Sequence, residues 1–180
     1  LPFDRLRVQR IVNRKSNFML SLFQKIQIKI ETGWSSAIVD YIRDMDEANV
    51  YIKAGLKEGR VNGKAALLNP AIVGEAFNCR NWYGRKHPEY WDWCNADLMG
   101  EGYPPHDENG DPYELHHIGQ QPDSPLAELT AAQHHDDGNF QILHQFDDYS
   151  TIERDEFTRE REHHWMARFK DFKDCYSRMK

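Results

Sequence analysis

The hydrophobic positions of the first 70 residues recur mainly at helical spacing. In "SSAIVDYIRDM", Ile38, Ile42 and Met45 follow at steps of four and three behind Ser35 or Ser36, either of which can cap a helix. "KIQIKI" alternates as a strand does, although a helix can also accommodate it. Glycines at positions 55, 59 and 63 then break the pattern. Residues 1–70 are therefore predicted to form a helical amino-terminal extension.

The remainder of the chain predicts a few short strands set among helices. The aromatic-rich stretch "HPEYWDWC" favours a core-forming helix that begins at Pro88, and "PPHDENGDP" favours a turn. "PYELHHIGQ" and "LAELT" are strand candidates. Phe157, Trp165, Phe169 and Phe172 then follow a helical stripe of core type. Because long helical stretches flank only two or three short strands, the predicted fold class is mainly helical α+β.

Charge is distributed unevenly along the chain. Lys and Arg number 12 against 7 Asp and Glu in residues 1–70, 3 against 15 in 71–148, and 8 against 7 in 149–180. The acidic middle argues against a bare nucleic-acid groove, because phosphate binding needs Lys and Arg, unless a divalent metal or the basic flanks reverse the local field.

Other classes of protein are disfavoured by simple counts. No apolar run approaches the roughly 20 residues that a membrane span needs, and the start lacks the apolar core of a signal peptide. The three cysteines are widely spaced and lack a C-x-x-C pair, so they predict buried thiols rather than a disulfide framework or a four-cysteine zinc site. The first residue is Leu1, which suggests a processed product or a piece of a longer polypeptide, or simply a cloning choice.

Six of the nine histidines fall between positions 106 and 144. Clustered imidazoles on neighbouring elements are what a nitrogen-ligated divalent site needs. On a strand, His116 and His117 point to opposite faces, so they can divide the work: one binds a metal, and the other takes a proton from water near neutral pH. A His-His pair can also be an ordinary surface or core feature. Four further histidines are expected at the surface or in hinges without a metal: His87, His106, His163 and His164.

The motifs "ELHHIGQ", "PLAELT" and "QHHDDGNFQILH" together resemble the LHH branch of the HNH and endonuclease VII superfamily, the His-metal finger nucleases found as carboxyl-terminal domains of bacterial polymorphic toxins. The resemblance runs from about Gly102 to about Arg168. It implies a small ββα-metal core of treble-clef type within a nuclease domain over 71–180. The metal finger is expected at about 102–148, and a carboxyl-terminal helix at about 151–178.

The resemblance implies a metal site made of histidines. His116, the first of the pair, corresponds to a ligand, and His134 and His144 supply the others. This sequence has Gln133 and His135 where the family usually has glutamate and arginine. Those departures leave the helical ligand open, with His135 as the substitute for His134. One divalent ion is expected, with magnesium, zinc and nickel not distinguished.

The resemblance also implies a catalytic set. His116 and His117 both belong to it, with His117 as the general base, and Asn139 is expected to orient that base or brace the finger. The ion would clamp the scissile phosphate while His117 activates water. Because this base does not depend on a ribose 2′ hydroxyl, DNA is the expected substrate, with RNA possible. Arg159 and Arg161, with Arg154 and Arg168 on the same helix, are candidate phosphate contacts.

As a toxin nuclease, the protein is expected to be part of a larger secreted polypeptide that acts in the target-cell cytoplasm, as in contact-dependent inhibition. Such an enzyme needs a cognate immunity protein in the producing cell, and the extension over 1–70 is expected to serve delivery, immunity binding or a structural cap. The main alternative is a non-catalytic histidine-zinc module with a closed site that binds protein or nucleic acid. A zinc deaminase or peptidase is disfavoured, since neither the H-x-E with P-C-x-x-C pattern nor H-E-x-x-H occurs.

Overall fold

The computed structural model describes residues 20–80, 86–144 and 153–176. Predictions made for residues 1–19 and for 145–152, at the end of the expected metal finger, lie outside these ranges. The helices and strands are α1 (Leu22–Thr32), α2 (Ser36–Val39), α3 (Met45–Lys53), β1 (Lys57–Val61), β2 (Lys64–Leu68), α4 (Asn95–Gly100), β3 (Glu114–His117), β4 (Leu126–Leu129), α5 (Ala131–His135), α6 (Asn139–Leu143) and α7 (Arg154–Tyr176).

The ambiguous stretch "KIQIKI" lies in a helix. Ser21 and Gln24 form a capping box at the start of α1, and Gly33 ends it with a left-handed φ of 77°. Ile28 is fully buried, whereas Ile26 and Ile30 are exposed. The alternating isoleucines thus place one side chain in the core and two on the surface of α1.

Residues 57–68 correct the prediction that the first 70 residues are helical. They form an antiparallel hairpin in which Lys57 pairs with Leu68 and Val61 with Lys64. Asn62 and Gly63 connect the strands with φ values of 52° and 79°. Two positive φ angles in an Asn-Gly pair suit a tight hairpin turn whose twist matches that of the strands.

The four strands form one sheet in the order β1-β2-β4-β3. β1 and β2 are antiparallel, β2 is parallel to β4, and β3 is antiparallel to β4. The predicted boundary at residue 70 therefore falls between two strands of the same sheet. The chain is a mixed α+β protein with a small sheet and several helices, as the sequence predicts.

The sheet separates two hydrophobic cores. The larger core contains α1 to α3 residues such as Ile38 and Tyr51 and the sheet residues Ala127 and Leu129. The smaller core joins Leu115 of β3 to Trp165 of α7. Among the cysteines with described side chains, Cys79 and Cys94 are buried thiols, as predicted.

Two expectations for the middle of the chain are wrong. The residues after Pro88 form only a 3-10 turn that contains no buried side chain, and Trp91 is half exposed. The core helix of this region is α4, which begins at Asn95 and buries Leu98 and Met99. In the described parts of the chain, no helix is both long enough and apolar enough to cross a membrane.

Candidate metal centre and adjacent cleft

Three histidines from separate elements meet on one face of the sheet. His116 lies on β3, His134 on α5, and His144 directly after α6. Their candidate ligand nitrogens all lie within 4.8 Å of one another. The ring centroid of His116 is 5.3 Å from that of His134 and 5.1 Å from that of His144. The structure thus brings together the three residues that the sequence predicts as ligands.

The ring nitrogens of this cluster are oriented for a shared ligand. His134 uses Nδ1 in a hydrogen bond with Glu114, and His144 Nδ1 lies 3.2 Å from the Phe140 carbonyl. The Nε2 atoms of His116 and His134 are buried and have no hydrogen-bond partner among the described residues. Because buried polar atoms are nearly always satisfied, these two nitrogens indicate an acceptor that the protein alone does not provide. A divalent ion fits this donor set, since neutral imidazole nitrogen is a preferred ligand of zinc and nickel.

The surroundings favour the neutral form of the His116 and His144 rings. Burial, reinforced by the neighbouring His134 and His144, holds the pKa of His116 well below its usual range. Burial likewise lowers the pKa of His144. Neutral imidazole is the form that binds a metal.

Glu114 organises the helical side of the cluster. It lies two residues before His116 on β3 and therefore on the same face of the strand. Its carboxylate accepts hydrogen bonds from His134 and from His135, whose Nε2 is 2.9 Å away. Burial alone would raise the pKa of Glu114, but the hydrogen bonds with His134 and His135 lower it. Of the two candidate helical ligands, His134 thus joins the three-histidine group and the more exposed His135 pairs with Glu114.

The local sequence explains how α5 presents His134. Thr130 and Gln133 form a capping box that starts the helix. Gln133, which replaces the usual glutamate, also accepts a hydrogen bond from Asn69 at 3.0 Å. Asn139 donates to the Gln133 carbonyl at 2.9 Å and so ties α6 to α5. Of the two roles expected for Asn139, its hydrogen bond to Gln133 fits bracing rather than contact with His117.

His117 lies on the opposite face of β3, as the strand interpretation predicts. It is 2% exposed, and its ring centroid is 4.6 Å from that of Phe157 on α7. His117 Nε2 is 2.9 Å from Glu160 Oε2. Its Nδ1 is buried without a hydrogen-bond partner in the described structure. Glu160 was not among the predicted site residues. It lies four residues before His164, so the two residues share one face of α7.

A buried charged group fastens α7 to the sheet. Glu128 of β4 is fully buried and lies 2.9 Å from His164 Nε2 and 2.7 Å from Arg168 Nε. Burial alone would raise the pKa of Glu128, but His164 and Arg168 lower it. The expectation that His164 lies at the surface or in a hinge is therefore wrong, and Arg168 is an internal ion-pair partner rather than an exposed phosphate contact.

The other histidines that were expected at the surface or in hinges differ in their exposure to solvent. His163 is exposed and His87 is partly exposed, so both lie at the surface as expected. His106 is only 2% exposed, so its expected surface position is wrong. Its carbonyl accepts a hydrogen bond from Asn95 at 2.9 Å, which holds the turn before β3 against α4.

A cleft of about 470 Å³ opens beside Glu160 between α7, the β1–β2 turn and the loop before β4. Lys64, Arg159 and His163 contribute basic groups to it. Arg161, another predicted phosphate contact, instead has its guanidinium 5.0 Å from the centre of the Phe157 ring and donates to Thr158. Of the four arginines predicted as phosphate contacts, Arg159 is the one that lines the cleft.

A second buried carboxylate supports the end of β3. Glu47 of α3 accepts hydrogen bonds from the Gly119 amide at 2.7 Å, from the Tyr51 hydroxyl at 2.7 Å and from the Arg43 amide at 2.8 Å. Burial raises the pKa of Glu47 despite these donors. Glu47, which lies in the predicted amino-terminal extension, therefore contacts the backbone two residues after His117.

The fold and the histidine cluster define the class as a mixed α+β protein with a candidate metal centre. A family model described as "A nuclease of the HNH/ENDO VII superfamily with conserved LHH" matches residues 94–171, a segment that includes all three clustered histidines and His117. This segment is therefore similar to the LHH family, which confirms the resemblance seen in the sequence. Neither a search of curated proteins nor a search of solved structures gave a significant match.

Proposed function

We propose that the protein is a metal-dependent endonuclease that hydrolyses phosphodiester bonds in DNA. The observation that carries this proposal is the convergence of His116, His134 and His144, two of which have buried, unpartnered Nε2 atoms, within a segment of a nuclease family. When bound there, a divalent ion stabilises negative charge on the phosphate group. β3, β4 and α5 then form the metal finger.

In this proposal the two faces of β3 perform different tasks. His116 and its two partners hold the ion, and His117 on the opposite face accepts a proton from the attacking water. Within the described residues β3 is an edge strand, so the side chains on both of its faces lie at the same edge of the sheet. Arg159 contacts a flanking phosphate from the cleft beside Glu160. Arg161 is a less direct candidate because its guanidinium lies over Phe157.

DNA is the proposed substrate because water activated by His117 needs no 2′ hydroxyl. The toxin role, the larger secreted polypeptide and the cognate immunity protein follow by analogy with toxins that carry LHH domains. The target-cell cytoplasm is the proposed place of action. For residues 1–70, the structural-cap role is supported by β2, which pairs with β4, and by Glu47, which accepts from Gly119.

The test is a plasmid-nicking assay with the full chain and its His117→Ala variant, run with magnesium, zinc, nickel or a chelator beside a total-RNA digest. We expect metal-dependent DNA cleavage, reduced about 10² to 10⁴-fold by His117→Ala because a general base contributes that much. His87→Ala, a change at a partly exposed histidine outside the cluster, is the matched control and keeps its activity.

Cleavage of RNA alone would overturn the substrate assignment. If DNA and RNA both stay intact with every metal while metal removal unfolds the protein, the nuclease proposal fails and the histidines form a structural site.

A further inference from the structure

Glu160 stands out among the charged residues outside the histidine cluster, because its carboxylate contacts a buried histidine. Its Oε2 is 2.9 Å from His117 Nε2, and the His117 ring is 2% exposed. The other ring nitrogen, Nδ1, is also buried and has no hydrogen-bond partner in the described part of the chain. The two nitrogens of His117 therefore have unequal surroundings.

This inequality fixes the position of the proton on neutral His117. A neutral imidazole has one donor nitrogen and one acceptor nitrogen, whereas a carboxylate only accepts. Burial alone would raise the pKa of Glu160, but the hydrogen bond with His117 and the nearby Lys64 lower it. Glu160 is thus an acceptor, Nε2 is the donor, and Nδ1 keeps the free lone pair.

The position of Glu160 is set by the anchoring of α7. His164 and Arg168 lie four and eight residues further along the helix, on the same side, and both contact the buried Glu128. At the other edge of the cleft, Asn62 donates to the His163 carbonyl at 3.1 Å. These contacts hold α7 against the sheet, so the carboxylate meets His117 in a preformed pair.

We propose that Glu160 is a positioning residue that holds His117 in the Nε2–H tautomer, so that Nδ1 is the atom that takes the proton. The inference rests on the proposed role of His117 as general base. In the step, a water O–H bond breaks and its proton moves to Nδ1, while the water oxygen forms the new bond to phosphorus. The bond to the 3′ oxygen breaks, and that oxygen takes a proton from solvent. Glu160 keeps its hydrogen bond to Nε2–H and stabilises the imidazolium.

The kinetic test compares Glu160→Gln with Glu162→Gln in the full chain, using a DNA cleavage assay that separates kcat from KM. Glu162 is an exposed residue on the same helix and offers the same loss of charge away from His117. Glutamine can also donate to Nε2 and so favours the wrong tautomer, as an amide does in place of the triad carboxylate of serine proteases. We expect kcat to fall at least about 10-fold with Glu160→Gln and to stay within about 2-fold with Glu162→Gln.

The direction of the change in KM distinguishes the positioning of His117 from a direct effect of the Glu160 charge on phosphate binding. Removal of a negative charge beside the cleft favours phosphate binding, so KM should stay the same or fall while kcat falls. If Glu160→Gln leaves kcat at the wild-type level, or raises KM with kcat unchanged, the proposal is overturned.

A second readout needs no activity. In ¹⁵N-histidine-labelled, metal-free protein, NMR distinguishes the protonated from the unprotonated ring nitrogen of His117, with its signals assigned from the His117→Ala spectrum. We expect the Nε2–H tautomer at a pH well above the ordinary histidine pKa, and a shift toward Nδ1–H in Glu160→Gln. A wild-type Nδ1–H tautomer would overturn the proposal. An Nε2–H tautomer in a protein that cleaves no nucleic acid would instead overturn the proposed function and leave the pairing intact.

Discussion

Gly119 shows how a single residue fixes the chain directly after the histidine pair. Its φ is 68°, and a Cβ there would lie 2.2 Å from the Tyr41 carbonyl oxygen. Its amide donates to the buried Glu47 carboxylate. Only glycine fits this position, because both the left-handed backbone and the space exclude a side chain.

Gly119→Ala is therefore expected to lower the free energy of unfolding by more than about 3 kcal/mol. Gly55→Ala is the matched control, since Gly55 has the same φ of 68° with no atom of the described residues within 4 Å of the added Cβ. It carries only the conformational cost of about 1 to 2 kcal/mol. Urea unfolding of both variants measures the difference, and equal losses would show that the Tyr41 contact is not limiting.

At the scale of residues, the sequence predicts the histidines better than the carboxylates beside them. The spacing of His116, His134 and His144 is part of a family motif, so the cluster that the structure forms could be expected. Glu114 and Glu160 gain their places from contacts 20 and 43 residues away in the sequence. No local pattern encodes such separations, although the position of Glu114 two residues before His116 hints at a shared face.

At the scale of elements, the long helix α7 is attached to the sheet partly through buried polar contacts. Its Arg168 is 6% exposed and shares the fully buried Glu128 with His164. A buried carboxylate that loses its cationic partner keeps the full cost of its desolvation. The attachment of α7 therefore depends on this ion pair as well as on Trp165 and its apolar neighbours.

Arg168→Met is expected to destabilise the protein by about 3 to 5 kcal/mol, because it leaves the Glu128 charge without its cation. Lys170→Met removes an exposed cation from the same helix and is expected to change stability by less than about 0.5 kcal/mol. Urea unfolding of the two variants and the parent measures both effects. A loss with Arg168→Met no larger than that with Lys170→Met would show that the pair contributes nothing to the attachment.

The errors at this scale share one physical cause. The segment 57–68 contains an Asn-Gly pair and has glycines in and next to it, yet the helical pattern of the residues before it predicts helix. The hairpin is stable because β2 also pairs with β4. Conversely, Pro88 starts a turn of three residues because the aromatic side chains after it are not buried. Tertiary contacts decide both cases, and local pattern does not contain them.

At the scale of the whole molecule, the amino-terminal part and the family-matched segment share one sheet. β2 pairs with β4 across the boundary predicted at residue 70, and Ile38, Tyr51 and Leu129 lie in the same core. The family match covers residues 94–171, so the sheet extends beyond it toward the amino terminus.

A fragment of residues 71–180 is accordingly expected to lack cooperative unfolding, because it exposes one edge of β4 and loses most of the buried residues of the larger core. Circular dichroism during urea unfolding of the fragment and of the full chain measures this. A fragment that unfolds in a sharp transition and cleaves DNA would show that residues 1–70 are a separable extension.

The proposed function requires that His116, His134 and His144 form the metal centre of a nuclease. The most direct measurement is plasmid cleavage across a series of metal concentrations by the full chain, His134→Ala and His135→Ala. We expect His134→Ala to lower cleavage at least about 100-fold and to shift it to higher metal concentration, because a ligand is lost. His135→Ala, which removes only a partner of Glu114, should cost less than about 10-fold. A His134→Ala variant as active as the parent, or a larger loss with His135→Ala, would show that His134 is not a ligand of the catalytic metal.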